Sequence, residues 1–380
     1  MLKTFCRWLA PGLLSAIPLL AAAMGNPQPG LGVGLAAGAD GQLYAALVRD
    51  GHVQILRSND LGQHWQAHSQ VNSQAEAIAA DAENAPQLSV SAQGALYVSW
   101  SRRFAERFTG DIRFARAENG RDFSTPRTVH RDQRLTGHSF VRQHLDRNGR
   151  LWLVWIDGRE RLDNPAYQGS ALYASHSDDG GRQFVAEYKL VDHSCQCCRL
   201  ALAERADGSL LLFWRQLFEQ GQRDHALLPL GRERPGELRR ATFDGWQVDA
   251  CPHHGPALAE DSHGRLHALW FSPHGEQGPL FYGQLADGQV LGQRSLGGPR
   301  AGHGAVASLG QRVVLLWKEF DGQRTQLLAE ISEDGGEHFR RVPLASSQGP
   351  SDHPRLLRVG NQLLPVWHST DHGLKGYPLP

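Results

Sequence analysis

From about residue 31 onward, apolar and polar positions alternate in short runs broken by tight turns, which predicts strands and hairpins. One unit recurs: an alternating strand, a Gly-containing turn, then a second alternating strand usually ending in Trp. Its copies are PQLSVSAQGALYVSW (86–100), SFVRQHLDRNGRLWLVW (139–155), CRLALAERADGSLLLFW (198–214), GPALAEDSHGRLHALW (255–270), GAVASLGQRVVLLW (304–317) and PRLLRVGNQLLPVW (354–367). GVGLAAGADGQLYAAL (32–47) is a seventh copy, with Leu47 where the others have Trp. Trp100, Trp155, Trp214, Trp270, Trp317 and Trp367 stand 47 to 59 residues apart, a spacing that suits a four-stranded propeller blade with variable loops. One bulky residue per repeat is what stacked sheets need, so the Trp series is assigned to inter-blade packing. The fold class is therefore all-β, a β-propeller of four-stranded blades, with seven blades expected from the seven hairpins.

A second signature follows three of the hairpins: SNDLGQHW (58–65), SDDGGRQF (177–184) and SEDGGEHF (332–339). In each, the Asp can accept turn amides, the Gly permits a positive φ and the aromatic anchors the hairpin. The residues are Ser58, Asp60, Gly62 and Trp65; Ser177, Asp179, Gly181 and Phe184; Ser332, Asp334, Gly336 and Phe339. The motif resembles the Asp box of the sialidase and BNR-repeat superfamily, over the chain from about residue 31 to its end. The resemblance implies structural boxes on the face away from an active site. It also keeps six blades open as an alternative, since that family has six and little chain follows the last hairpin. Residues near 26–35 could then close the ring by pairing with the last blade.

In a propeller the first strand of each blade lines the central channel, so its start and the end of the second strand meet at one mouth. The positions that open first strands carry His138, then Cys195, Cys197 and Cys198, then Cys251, His253 and His254, then His303, then His353. Arg102, Asp157, Arg159, Arg215, Lys318, Glu319 and His368 follow second strands, and Arg142, His144, Arg199 and Arg355 lie just inside. The segment 216–238 leaves from the same end and reads as a long insertion, a candidate lid. His52, His64, His68, His130 and His338 fall outside this register and read as ordinary histidines.

Residues 1–25 read as a secretory signal, with Lys3 and Arg7 before the apolar run LLSAIPLLAAA and small residues near Ala23 and Gly25. The run is too short for a stable membrane span, which predicts a periplasmic protein with residues 26–380 as a single propeller domain. Net charge is zero, which gives no electrostatic case for nucleic acid. A monomer is expected, with a periplasmic metal-handling or redox protein as a partner.

Cleavage would remove Cys6 and leave Cys195, Cys197, Cys198 and Cys251. In an oxidising compartment an even number invites two disulfides, yet a bond from Cys251 to one of the others leaves an awkward near-vicinal pair. The alternative is a metal centre. Thiolate and imidazole suit Cu(I), with Zn(II) second, and the candidate ligands are Cys195, Cys197, Cys198, Cys251, His253, His303, His353 and His138. No CxxCH is present, so covalent haem is not expected, nor is a nucleotide.

A sialidase-type site, which the resemblance would imply, needs an arginine cluster, a Tyr nucleophile with a Glu partner and an Asp acid/base. Arg142, Arg199 and Arg355 could form the cluster, but the early Arg-Ile-Pro signature is missing and no Tyr stands at the late-blade mouth. The pairing of CQCCR with DGWQVDACPHHGPAL (244–258) also resembles a subset of bacterial sialidase-like proteins with Cys-Cys-Arg and Cys-Pro-x-x-Gly-Pro motifs. The leading expectation is an exported propeller that binds a metal ion, copper by preference, and is not a sialidase. An exo-sialidase-like hydrolase and a structural propeller with two disulfides remain the alternatives.

Overall fold

The computed structural model describes residues 30–273 and 278–380; the expected signal segment and Cys6 lie outside them. These residues form seven antiparallel sheets, six of four strands and a last one of three. Blade one comprises Val33–Ala37, Leu43–Arg49, His52–Ser58 and Gln66–Gln70, and the same order of hairpins repeats to blade seven, Arg355–Val359, Gln362–Ser369 and Gly373–Gly376. The seven-bladed expectation holds.

The Trp residues that end the second strands are among the largest fully buried side chains. Each packs against the preceding blade: Trp155 lies with Ile112 and Phe114, Trp270 with Leu211 and Phe213, Trp317 with Leu269 and Leu280. An indole N–H buried this way needs an acceptor. In three blades the residue two positions on supplies it: Asp157 for Trp155 (2.9 Å), Gln216 for Trp214 (2.8 Å) and Glu319 for Trp317 (3.4 Å). Two polar residues placed at the mouth by the repeat, Asp157 and Glu319, thus serve the blade interface.

The ring closes without a fourth strand in blade seven among the described residues. Val33–Ala37 belongs to blade one instead of completing the last blade. Leu43 and Ala45 pack on Leu364 and Val366, and Gly376 donates its N–H to the Gly62 carbonyl at 3.1 Å, joining the turn at residues 58–65 to the last strand. A Cβ on Gly376 would stand 1.9 Å from the Leu61 carbonyl oxygen, so this approach needs glycine.

All three boxes sit between third and fourth strands, as the repeat predicts. Ser58 and Asp60, Ser177 and Asp179, and Ser332 and Asp334 make the same 2.7 Å hydroxyl–carboxylate bond. Segment 216–238 is corrected: it contains the third strand of blade four, His225–Leu230, so it is part of the repeat and only a short loop precedes that strand.

Candidate metal centre

The chain enters the channel strands irregularly. Phe140 and His303, in the first strands of blades three and six, His253, just before that of blade five, and His193, at the end of blade three's fourth strand, have φ of 55°, 56°, 52° and 62°. Blades three and six also carry register shifts there, opposite Val154–Ile156 and between Gly302 and Ala305. Such bulges re-aim side chains, and left-handed non-glycine residues cost about 1–3 kcal/mol each unless their surroundings impose them. Four of the eight non-glycine residues with positive φ among the described residues thus lie on the segments that carry these His and Cys residues.

Cys195, Cys197 and Cys198 are buried, and no disulfide links any of the four described cysteines. Cys195 Sγ lies 3.5 Å from Cys198 Sγ and 4.0 Å from Cys197 Sγ. Cys197 Sγ also groups with Cys251 Sγ and a ring nitrogen of His253, all within 4.8 Å of one another. The backbone holds this loop firmly: Cys195 N–H donates to the Arg215 carbonyl (3.0 Å) and Gln196 Nε2 to Gly169 O (2.9 Å). Phe140 and Leu217 cover the sulfurs. Cys251 is exposed and forms one wall of a groove of about 730 Å³, with Arg223, Gln196 and Tyr167 among its other walls.

Two guanidiniums attend the sulfurs. Arg223 Nη1 points at Cys195 Sγ from 3.5 Å. Arg215 is 1% exposed; its Nη2 donates to Phe271 O (2.7 Å) and His254 O (3.1 Å), while Nε and Nη1 have no hydrogen-bond partner. Hydrogen bonds from the Cys197 and Cys198 thiols, helped by the Arg215 charge, hold the Cys195 thiol well below its ordinary range. Donation to Cys195 and burial push Cys197 and Cys198 up, and the contact with Cys197 brings Cys251 down to about 7. Of the four thiols, Cys195, 3.5 Å from Arg223 Nη1, is the one this surrounding most favours as thiolate.

Glu83, which precedes the first strand of blade two, ties this centre to the channel. Its Oε2 accepts the backbone N–H of Arg199 (2.8 Å) and of Gly255 (2.9 Å), and its Oε1 takes Arg199 Nη1 (2.7 Å). His353 Nδ1 and His303 Nδ1 stand 3.1 and 3.6 Å from Oε1. Burial pushes the Glu83 carboxyl up, but Arg199 and the two imidazoles overcome it and hold it well below the carboxylate range. Phe271, His254, His303 and His353 form one stacked ladder, with successive centroids 3.7, 4.0 and 3.5 Å apart. Burial keeps all three of its imidazoles neutral, well below the usual histidine range.

Glu83 also lines a channel cavity of about 130 Å³, with Arg142, Arg199 and Arg355 among apolar strand residues. Arg142 donates to Gln87 (3.1 Å) and Arg355 to Ala82 O (3.0 Å). Burial, then the charges of Arg355 and Arg199, lower Arg142 to about 10.

The eight candidate ligands therefore separate. Cys195, Cys197, Cys198, Cys251 and His253 come together, whereas His303 and His353 belong to Glu83. His138 lies elsewhere, with Nδ1 on Gly110 O (2.9 Å) and Nε2 3.4 and 3.5 Å from Asp132 and Asp157. Arg159 reaches both carboxylates, so a cation already occupies that group. His368 Nδ1 meets Leu31 O at 2.9 Å, pinning the seam between blades seven and one. Glu83 and Arg223 were not foreseen. Glu83 stands in the same pre-strand register as the His and Cys residues, and a carboxylate there was the signal; Arg223 carried none.

No family model and no curated protein matches the chain. Solved structures do. An ulvan lyase, described as a new polysaccharide lyase family, superposes with a TM-score of 0.59 at 12% identity, covering 92% of this chain and 94% of that one. The Hadza microbial sialidase Hz136 gives 0.53 at 15% identity over 91% of this chain and 65% of that chain. An α-L-arabinanase of Penicillium chrysogenum gives 0.50 at 16% identity over 76% and 88%. At these identities the likeness shows the fold alone: this chain is a seven-bladed β-propeller.

Proposed function

We propose that this is an exported metal-binding propeller, and that its centre takes a soft cation, Cu(I) by preference and Zn(II) second. One observation carries the reading: four unlinked sulfurs and one imidazole converge from two blades beside a buried guanidinium that has no carboxylate partner among the described residues. Thiolates compensate that charge, and thiolate with imidazole is a donor set for soft metals. Ligands set on adjoining rigid blades are preorganised, so little ordering is left for the metal to impose. Cys251, at the groove, supplies the way in. A periplasmic metal-handling or redox protein is the corresponding partner.

The test is elemental analysis of the mature protein after anaerobic exposure to Cu(I) and to Zn(II), with a thiol count on the same sample. Stoichiometric copper that is lost in Cys195→Ser supports the reading. No bound metal together with four oxidised thiols overturns it.

A second reading, an exo-acting glycosidase, is favoured by Arg142, Arg199 and Arg355 facing one cavity, an arrangement suited to a sugar carboxylate. No Tyr lines that cavity, so the nucleophile of a sialidase-type mechanism is not supplied there. Turnover of a fluorogenic sialoside, lost in Arg355→Ala and kept in Cys195→Ser, would establish it.

A further inference from the structure

We infer that the centre is dinuclear, with Cys197 as a bridging thiolate between two Cu(I) ions; this rests on the metal-binding reading above. The five donors do not form one set. They divide into an inner triad, Cys195, Cys197 and Cys198, and an outer triad, Cys197, Cys251 and His253, and only Cys197 belongs to both.

The spacing within the inner triad already fits a metal. With metal–sulfur bonds of about 2.3 Å, sulfurs around one ion stand about 3.8 Å apart in a tetrahedron and about 4.0 Å apart in a trigonal plane. The observed separations from Cys195 are 3.5 and 4.0 Å. One ion seated there leaves Cys251 and His253 without a role, although His253 is held in a left-handed conformation beside Cys197. A second ion uses them, and a thiolate sulfur has lone pairs enough to serve both.

The charges nearby accommodate two ions. Two Cu(I) and four thiolates leave two negative charges, with His253 neutral. Arg215, fully buried, and Arg223, 3.5 Å from Cys195 Sγ, supply two positive ones. A single Cu(I) held by the three inner thiolates would leave the same two negative charges, so charge is compatible with two ions while the division of the donors into two triads carries the inference. On binding, each protonated thiol gives up its proton to solvent; copper enters and stays as Cu(I), and no electron moves. The inner triad is buried and the outer includes the exposed Cys251, which sets an order: the outer position faces the groove and exchanges, while the inner position retains.

The experiment is an anaerobic titration of the mature protein with Cu(I) against a chromophoric Cu(I) chelator, followed by X-ray absorption at the copper edge. Expected are two equivalents per chain, a copper–copper scattering shell, and a drop to one equivalent with loss of that shell in Cys251→Ser. Because Cys251 is exposed, that variant leaves the core packing in place. Saturation of the wild type at one equivalent overturns the dinuclear centre and leaves metal binding standing, as does a second equivalent with no copper–copper shell. No binding at all overturns both.

Discussion

Glu83 Oε2 accepts the backbone N–H of Gly255 at 2.9 Å, and the same oxygen accepts that of Arg199 at 2.8 Å. One carboxylate from blade two thus fastens the two segments that carry the cysteines, 195–199 and 251–255. The approach is too close for a side chain: a Cβ on Gly255 would stand 2.2 Å from Arg199 Cγ and 2.5 Å from Arg199 O. A residue that touches none of the sulfurs thus ties together the two segments that carry them.

Removing that carboxylate leaves Arg199 Nη1 and two amides without their acceptor, and the guanidinium, still bonded to Gly304 O through Nη2 (2.7 Å), without its counter-charge. Loss of one partner from a buried pair costs about 3–5 kcal/mol. Glu83→Ala is expected to lower stability by that amount in denaturant unfolding and to weaken Cu(I) binding in the chelator competition. Unchanged copper affinity in a folded Glu83→Ala protein would show that the two segments hold their geometry alone.

Blade number, the Trp interfaces and the Ser-x-Asp turns were legible because each repeats: Trp155, Trp214 and Trp317 occupy one position of a period, and any single copy is checked by the others. The convergence of Cys195, Cys197, Cys198, Cys251 and His253 was legible from the same register. Its division from His303, His353 and His138 was not, because register places a residue at the mouth without saying which way a bulged strand turns it. Asp157 shows the limit from the other side. Its position marked it as a mouth residue, while its contacts, the Trp155 indole and Arg159, are made within the wall.

Trp317 is fully buried between blades five and six. Large-to-small replacement of such a side chain costs about 3–5 kcal/mol through lost burial and the cavity left behind. Trp317→Ala is expected to lower stability by this much in chemical denaturation, and to leave copper stoichiometry unchanged once folded. A change in stoichiometry would mean that the blade interface and the metal centre are coupled.

Acid should destabilise the fold through its buried imidazoles. His130 is packed against His138 at 3.7 Å; its Nδ1 faces Asp132 O at 2.8 Å, and its Nε2 accepts the Ile112 N–H at 3.3 Å, so the ring is needed neutral. Burial, and then His138, lower it to about 4. Above the unfolded value of about 6.5 the group is neutral in both states and contributes no slope. As pH falls from there to about 4, the unfolded chain takes up the proton and the native state does not, so stability is lost across that window, by up to about 3 kcal/mol for this one residue. His254, His303 and His353 act in the same direction. Denaturant unfolding as a function of pH should show His130→Gln with a shallower decline between pH 6.5 and 4. Parallel curves for the two proteins would contradict this assignment.

Arg215 offers a test of the charge balance at the sulfurs. Its guanidinium is buried with Nε and Nη1 unpartnered, and its charge favours the thiolate forms of Cys195 and Cys198. Replacing it by Leu keeps an apolar fill and removes the charge, so metal entry must displace protons from less acidic thiols. Arg215→Leu is expected to weaken Cu(I) binding about tenfold or more, equivalent to about 1.4 kcal/mol, with the loss growing as pH falls. Arg215→Lys, which keeps the charge but not the fork, should recover part of the affinity. If Leu and Lys weaken binding equally, packing and the bonds to Phe271 and His254 carry the effect, and the buried charge is not what tunes the centre.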